Sequence, residues 1–269
     1  MAVSEPAKTL DISRLSFSSI SMFLRCPKQF WFRYVQGLKS PPAIALIEGS
    51  SHHAALEMNN RHKMQKGVDL STGTVTGKFM EELRTRVKAE DCPYEEEGED
   101  ELFLRGKTWH QIYMNDFAPK IHPDMVEEKF EKDLKVDGAP ATLSGVIDLG
   151  YKNKISDYKT TSGYGLQMKK RAIDNDLQLS LYAWAAQRRN VEMICLVKKA
   201  NPEVVALASS RTQGQVTYAL TLARRVMAMV RKFEGEDIYP MCSPDNFLCS
   251  EKYCGYWSRC RGAIEAGKR

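Results

Sequence analysis

The spacing of apolar residues along the chain changes from a helical period to a strand period and back. Over the first 117 residues apolar positions recur at intervals of three and four, which is typical of helices. From Met125 they alternate with polar residues, which predicts strands, and beyond Asp176 both periods occur. Helices are predicted at 16–25 (capped by Ser16 or Ser18), 49–66, 78–88, 102–117, 176–187 and 213–233. Strands are predicted at 125–136, 142–151, 155–159 and 191–197, with turns at 137–138 and 152–153.

This order of elements predicts an α/β protein with a small mixed sheet flanked by helices. We expect a helical region over 1–120, an α/β core over 121–236 and a cysteine-rich segment over 237–269. Segment 90–101 carries eight acidic residues and is predicted to be a solvated loop. The rest of the chain therefore carries +13, which is the net +5 less the −8 of this segment. Its basic residues concentrate after residue 187, where the last predicted helix would suit a phosphate backbone.

The composition excludes several classes of protein. Hydrophobic residues make up 43% and charged residues 27% of the chain, which is ordinary for a globular protein with a buried core. The apolar stretch at 41–47 is too short for a bilayer span and no signal peptide precedes it, so we expect a cytoplasmic protein without a membrane partner. The seven cysteines are an odd number, which argues against a disulfide framework and favours reduced thiols, some of them bound to metal.

The candidate chemistry lies on the two predicted strands around residues 152–153. Asp157 and Lys159 are two residues apart on one strand, so both side chains project from the same face. If the hairpin turns through Lys152 and Asn153, Asp148 lies opposite Asp157 on that face. Carboxylate oxygens are the ligands that Mg²⁺ and Mn²⁺ prefer. A metal ion between the two aspartates, with Lys159 orienting a water molecule, would suit phosphodiester hydrolysis.

Further short motifs accompany this strand pair in a definite order. They are Gly49/His53/Leu56/Glu57, then Gly145/Ile147/Asp148, then Asp157/Tyr158/Lys159, then Gln178/Tyr182. An N-terminal pattern precedes them, with Ser16, Ser18, Phe23, Cys26, Pro27 and Phe30. In this order the motifs resemble those of the PD-(D/E)xK nucleases, specifically the RecB-like branch. The resemblance covers nearly the whole chain apart from the acidic segment, and it implies a restriction-endonuclease-like core.

The resemblance also implies roles for individual residues. By it, the metal ligands are His53, Asp148 and Asp157, with the carbonyl of Tyr158 as a further ligand, and the catalytic residues are His53, Asp148, Asp157 and Lys159. Gln178 and Tyr182 would bind DNA. His52 adjoins His53, but only His53 satisfies the spacing to both Gly49 and the Leu-Glu pair. On the preceding strand, Glu128 or Glu131 would assist.

The cysteines near the C-terminus extend the resemblance to an iron–sulfur subset of these nucleases. Cys249, Cys254 and Cys260 lie close together in the sequence, and Cys26 lies in the N-terminal Cys-Pro motif. By resemblance these four bind a [4Fe–4S] cluster that ties the two ends of the chain together. Two alternatives stay open: Zn²⁺ would accept the same four thiolates, and Cys242 could replace Cys249.

Together these features predict a DNA exonuclease that depends on Mg²⁺ or Mn²⁺, acts on single-stranded DNA or DNA ends, and carries a structural [4Fe–4S] cluster. The nearest analogues would be AddB-like or CRISPR-adaptation exonucleases, including phage-encoded ones, with roles in DNA repair and recombination. Its partners would be DNA and a helicase or a recombination or adaptation protein. The alternatives are an endonuclease that uses the same site and a non-catalytic DNA-binding or assembly subunit with the same fold.

Overall fold

The protein is described from a computed structural model that covers residues 13–266, except 93, 95, 96, 137, 138 and 237. The predicted turn at 137–138 lies outside the described residues. In chain order the helices are α1 (Phe17–Arg25), α2 (Pro27–Phe30), α3 (Ile44–Lys66), α4 (Thr72–Ala89), α5 (Glu99–Ile112), α6 (Gly163–Ala172), α7 (Leu177–Ala186), α8 (Gln213–Glu236) and α9 (Arg261–Ala266). The strands are β1 (Arg14–Ser16), β2 (Met125–Asp133), β3 (Thr142–Tyr151), β4 (Lys154–Ser162), β5 (Asn190–Lys198) and β6 (Glu203–Ser210).

The chain folds into two compact units, each made of more than one segment. Unit 1 comprises 1–41, 131–144 and 220–269, and unit 2 comprises 42–130 and 145–219. Strands β2 and β3 and helix α8 each have residues in both units. Unit 2 holds helices α3 to α7, whereas unit 1 holds α1, α2 and α9.

The sheet is mixed, as the sequence predicts. In unit 2, β3 and β4 are antiparallel, β4 and β5 are parallel, and β5 and β6 are antiparallel. Helices α6 and α7 connect the parallel pair β4 and β5, because parallel neighbours need a long crossover. In unit 1, β1 runs parallel to the first residues of β3. Strand β2 also pairs with β3.

Local sequence signals account for several element boundaries. Ser16 caps α1, and its side chain and that of Ser19 bond each other's backbone N–H groups in a capping box. Asp176 caps α7 by accepting a hydrogen bond from the N–H of Leu179. Helix α3 ends at Gly67, whose φ of 78° is left-handed and suits glycine.

Most of the predicted elements are confirmed, and the differences have physical causes. Helix α3 begins at Ile44 rather than at residue 49, so Gly49 lies inside the helix. Helix α6 begins in a Gly-Tyr-Gly sequence that favours a loop, but Ser162 caps it by accepting from the N–H of Gly165. Strand β6, which was not predicted, has small residues at four of its eight positions and forms through its pairing with β5.

Each unit has its own apolar core. In unit 2 the core brings residues of α3, α4 and α5 together with residues of β3, β4 and β5, with Trp109 and Phe79 among its largest fully buried side chains. In unit 1, Phe23 stacks on Phe233, and Phe30 stacks on Tyr239. None of the helices in the described part of the chain combines the length and apolar character that crossing a membrane requires.

Candidate active site

The hairpin of β3 and β4 positions two aspartates of the site, Asp148 on β3 and Asp157 on β4. Tyr151 lies opposite Lys154, and the turn residues Lys152 and Asn153 have φ values of 47° and 57°, as a two-residue type I′ hairpin requires. The predicted turn is therefore confirmed. The last paired residues are Leu149 and Ser156, so Asp148 and Asp157 are the next residues along each strand. There the Asp148 side chain accepts a hydrogen bond from the backbone N–H of Tyr158 at 2.9 Å.

Asp157 is engaged by two side chains and is almost completely buried, with 2% of its surface exposed. The amide of Gln178 donates to Asp157 Oδ1 at 2.7 Å, and Lys159 Nζ lies 2.7 Å from Asp157 Oδ2. Burial by itself would lower the pKa of Lys159, but the attraction of Asp157 outweighs it and raises that pKa. Lys159 is therefore an ammonium ion at neutral pH.

Helix α3 brings His53 to the hairpin. His53 Nε2 lies 2.9 Å from the carbonyl oxygen of Tyr158, and His53 Nδ1 lies 3.3 Å from Asp148 Oδ2. The helix can approach β4 closely because a Cβ on Gly49 would lie only 3.2 Å from the Thr160 hydroxyl. The neighbouring His52 is fully buried and stacks on a phenylalanine, so it does not face the site.

Strand β2 contributes a carboxylate that the sequence analysis missed. Among the described residues, one group of three or more His, Cys, Asp or Glu side chains has ligand atoms that all lie within 4.8 Å of one another, and it consists of His53, Glu127 and Asp148. The glutamates proposed from the sequence lie elsewhere, since Glu128 is exposed and Glu131 pairs with Arg14 at 2.5 Å. Adjacent glutamates in a strand give no sequence signal for which one faces a site.

Two carboxyl groups of the site, those of Asp148 and Glu127, have pKa values above the ordinary range. Burial, followed by the charge of Asp157, raises the pKa of Asp148 to about 6. Burial, followed by the charges of Asp148 and Glu57, raises the pKa of Glu127 to about 7. A cation bound between these groups would reverse this effect, because it favours their ionised forms.

Helix α7 supplies the two polar residues that the sequence analysis expected to bind DNA. Gln178 contacts Asp157, as described above, and is 8% exposed. Tyr182 is equally buried, and its ring packs edge-on against Phe130 with centroids 5.4 Å apart. Burial and the charge of Asp157 raise the pKa of Tyr182 to about 12. Gln178 therefore contacts Asp157, and Tyr182 lies close enough to be affected by its charge. The contact of both side chains with DNA remains a prediction.

A buried hydrogen-bond network holds the residue between Asp157 and Lys159 in place. The Tyr158 hydroxyl accepts from the Asn60 amide at 2.9 Å and lies 2.7 Å from the Tyr113 hydroxyl. Since side chains alternate along a strand, anchoring Tyr158 in the core directs its two neighbours to the opposite face. The backbone carbonyl of Tyr158 stays beside His53, where the sequence analysis placed a metal ligand.

A cavity opens over these residues, and its lining includes His53, Glu57, Arg86, Glu127, Asp148 and Lys159. Its ligand atoms are carboxylate and carbonyl oxygens and an imidazole nitrogen, a set that suits Mg²⁺ or Mn²⁺. His53 Nε2 and the Tyr158 carbonyl oxygen lie at hydrogen-bond distance, 2.9 Å, and a bound ion would take the place of this hydrogen bond.

Five cysteines of unit 1 surround a second cavity. They are Cys26, Cys242, Cys249, Cys254 and Cys260. The four cysteines proposed as ligands are thus near one another, and Cys242 is a fifth thiol in the same group. Burial and these neighbours raise the pKa of Cys242 to about 12. The Arg261 side chain donates to Cys249 Sγ at 3.3 Å and to the Cys242 carbonyl at 3.2 Å.

The basic residues of α8 have contacts that the sequence analysis did not anticipate. In unit 1, Arg224 Nε donates to the carbonyl of Leu134 at 2.7 Å, and Arg231 donates to the carbonyls of Val136 and Pro140. These guanidinium groups satisfy backbone acceptors of the same unit. Part of the basic excess of this helix is therefore structural.

A mixed sheet that carries an Asp-x-Lys strand beside a carboxylate and imidazole group defines a nuclease-type α/β protein. The sequence model of the PD-(D/E)XK nuclease superfamily matches residues 14–261, and the chain belongs to that superfamily. This confirms the superfamily expected from the motifs, while membership of its iron–sulfur subset remains a prediction.

One solved structure with a TM-score above 0.5 supports the fold. A protein from Eubacterium rectale described as a putative exonuclease superposes with a TM-score of 0.54 at 10% sequence identity, covering 88% of this chain and 87% of its own. SSO0001 superposes with a TM-score of 0.41 at 11% identity, covering 93% of this chain and 86% of its own. No curated protein sequence matches the chain.

Proposed function

We propose that the protein is a DNA exonuclease that depends on Mg²⁺ or Mn²⁺ and acts on single-stranded DNA or on DNA ends. The observation that carries this proposal is the approach of His53, Glu127 and Asp148 to within 4.8 Å, beside the Lys159–Asp157 pair. Superfamily membership supports phosphodiester hydrolysis, and the description of the Eubacterium rectale protein favours an exonuclease.

The ligands proposed from the sequence are His53, Asp148, Asp157 and the carbonyl of Tyr158. A divalent ion held there would supply positive charge beside the phosphate and lower the pKa of a water molecule. In the reaction the attacking water gives up one proton to solvent as its oxygen bonds to phosphorus, one ester P–O bond breaks, and the departing oxygen takes up a proton from solvent. Lys159 holds its proton, so it orients the attacking water and offsets the charge that develops on the phosphate.

The buried partners of Asp157 keep this arrangement ready for reaction. Gln178 and Lys159 each bind one oxygen of the Asp157 carboxylate, which limits the rotation of that group. We propose that Gln178 and Tyr182 contact the DNA beside Asp157. Preorganised charges of this kind act more strongly in a site from which water is partly excluded.

The proposal is tested with linear DNA labelled at both ends and with closed circular DNA, each incubated with Mg²⁺ or Mn²⁺. We expect loss of the end label from linear DNA and intact circular DNA, whereas cleavage of the circle would indicate an endonuclease. Asp157→Ala and Lys159→Ala should abolish hydrolysis. Lys66→Ala is the control, since Lys66 is exposed and 13 residues from His53 on α3, or about 20 Å along the helix axis. A wild-type protein that binds DNA but leaves it intact would instead be a DNA-binding subunit.

We further propose that Cys26, Cys249, Cys254 and Cys260 bind a [4Fe–4S] cluster. The layout of these cysteines, one before the nuclease core and three after it, resembles that of the iron–sulfur subset and favours a cluster over a single Zn²⁺ ion. The hydrogen bond from Arg261 to Cys249 favours Cys249 over Cys242 as a ligand, because a cationic donor stabilises a thiolate.

Iron and acid-labile sulfide in anaerobically purified protein test the cluster. We expect about four of each per chain. Cys254→Ala and Cys249→Ala should lose the iron, whereas Cys242→Ala and Cys195→Ala should keep it, Cys195 being a core residue of β5. Stoichiometric zinc without iron would refute the cluster. If Cys242→Ala loses the iron and Cys249→Ala keeps it, Cys242 rather than Cys249 is the ligand. A helicase or a recombination or adaptation protein is the partner that we propose for any unwinding of duplex DNA.

A further inference from the structure

We propose that Glu127 is a carboxylate ligand of the divalent metal ion that binds at His53 and Asp148. This inference rests on the proposed function, since it adds a residue to the same site. Glu127 belongs to none of the sequence motifs, and its role follows from where the fold places it. Its carboxylate lies within 4.8 Å of the ligand atoms of His53 and Asp148, close to the separation of about 4.2–4.4 Å that trans ligands of an Mg²⁺ or Mn²⁺ ion have.

The other carboxylates that line the cavity already have partners. Glu57 pairs with Arg61 at 2.6 Å, and Asp148 accepts from the Tyr158 N–H at 2.9 Å and faces His53 at 3.3 Å. Within the described part of the chain, the Glu127 carboxylate has no hydrogen bond or ion pair. It is therefore a half-buried carboxyl group that faces the Asp148 carboxyl group without a counter-ion of its own.

The cationic side chains of the cavity do not supply that counter-ion. Arg86 pairs with Glu82 at 3.3 Å, and Lys159 pairs with Asp157 at 2.7 Å. Two carboxylates and an imidazole that all converge on one point are stabilised by a small hard cation, which binds all three groups at once.

The backbone of β2 is also unusual at this residue. Glu127 has a φ of 47°, which lies in the left-handed region and costs a non-glycine residue about 1 kcal/mol or more. A left-handed residue interrupts the regular alternation of side chains along a strand. In this strand the interruption occurs at the carboxylate that reaches the cavity, while the next residue, Glu128, remains exposed.

Mn²⁺ binding measured without DNA tests this role independently of catalysis. The free Mn²⁺ signal is followed by electron paramagnetic resonance as the ion is titrated into wild type, Glu127→Gln and Glu128→Gln. We expect Glu127→Gln to weaken Mn²⁺ binding by at least roughly tenfold, since even the loss of an outer-sphere partner costs that much. Glu128→Gln is the matched control on the same strand and should bind Mn²⁺ like the wild type.

Thermal melting shows whether Glu127→Gln is folded. Without metal it should melt at or above the wild-type temperature, because the repulsion with Asp148 is removed, and Mn²⁺ should raise its melting temperature less than that of the wild type. If it melts lower, the titration is repeated with Glu127→Asp, whose shorter carboxylate should also weaken binding at least tenfold.

The inference is overturned by wild-type Mn²⁺ affinity in the folded Glu127 variant, by equal weakening in Glu127→Gln and Glu128→Gln, or by a wild type that does not bind Mn²⁺. Metal binding by Glu127 and hydrolysis of DNA are tested by separate measurements. A protein that loses Mn²⁺ affinity in Glu127→Gln but leaves DNA intact retains this metal ligand and loses the proposed activity.

Discussion

At the scale of single residues, the site depends on buried hydrogen bonds and ion pairs that hold each functional group in position. Asp157 is buried, Gln178 donates a hydrogen bond to its Oδ1, and Lys159 Nζ lies 2.7 Å from its Oδ2. Tyr158 anchors the strand through its hydroxyl and offers its carbonyl to His53. Removing a partner of a buried charge costs more than the pair contributes, so these supporting residues are sensitive positions.

Gln178→Leu tests this dependence. The change leaves Asp157 Oδ1 buried without its amide donor, and an unsatisfied buried acceptor costs about 1–3 kcal/mol in the free energy of unfolding. Displacement of Asp157 should lower kcat by roughly tenfold to a hundredfold with little change in KM. A raised KM at unchanged kcat would instead assign Gln178 to DNA binding. Gln65→Leu, at an exposed position of α3, is the control for both measurements.

At the scale of elements, glycines allow the helices to approach the strands that carry the carboxylates. Gly145, at the start of the unit 2 part of β3, lies under the rings of Phe130 and Tyr182, and a Cβ there would lie 2.8 Å and 3.1 Å from them. The close packing of these two rings explains why the residue three positions before Asp148 is a glycine. Gly49 has the corresponding position on α3, beside Thr160.

Gly145→Ala should therefore lower the free energy of unfolding by about 1–3 kcal/mol, because two aromatic rings must shift to admit the methyl group. Gly77→Ala is the matched control. A Cβ on Gly77 would meet no atom within 4 Å, and this helical position should gain up to about 1 kcal/mol from alanine. Urea unfolding of both variants measures the difference, and equal stabilities would show that β3 and α7 repack freely.

At the scale of the whole molecule, burial gives two histidines of unit 2 a strong effect on stability. His52 and His110 are fully buried, their ring nitrogens lie 3.0 Å apart, and His110 Nδ1 lies 3.1 Å from the Thr76 hydroxyl. Burial lowers the pKa of His110 to about 4, and burial together with the charge of His110 lowers that of His52 well below its ordinary value. Both side chains are neutral in the folded protein at pH 7.

The unfolded chain binds protons at these histidines below pH 6.5, whereas folded His110 does not until about pH 4. Stability is therefore fully present above pH 6.5 and is lost as the pH falls, by about 2 kcal/mol at pH 5 for His110 alone. Urea unfolding at pH 7 and pH 5 should show a smaller loss in His110→Gln than in the wild type. The raised pKa values of Asp148 and Glu127 act in the opposite sense in both proteins, so the difference between them isolates His110. His122→Gln, at an exposed position, should match the wild type.

Unit 1 shows how distant parts of the sequence depend on tertiary structure. Cys26 and Cys249 are separated by more than two hundred residues, and closing so long a loop carries a large entropic cost that local sequence cannot offset. Aromatic stacking such as Phe23 on Phe233 stabilises the same unit. A cluster bound by Cys26 and the C-terminal cysteines would close the same long loop.

Periodicity was sufficient for the mixed α/β class and the hairpin at Lys152 and Asn153, because these depend on local backbone preferences. The superfamily followed from the resemblance of motifs a few residues long to those of a known family. Those signals could not reveal that Glu127 rather than Glu128 enters the cavity, that Gln178 contacts Asp157, or that Cys242 joins the other thiols. Each of these depends on a left-handed backbone residue or on contacts between segments distant in sequence. Such contacts are specified by packing of the whole fold, which short-range patterns do not encode.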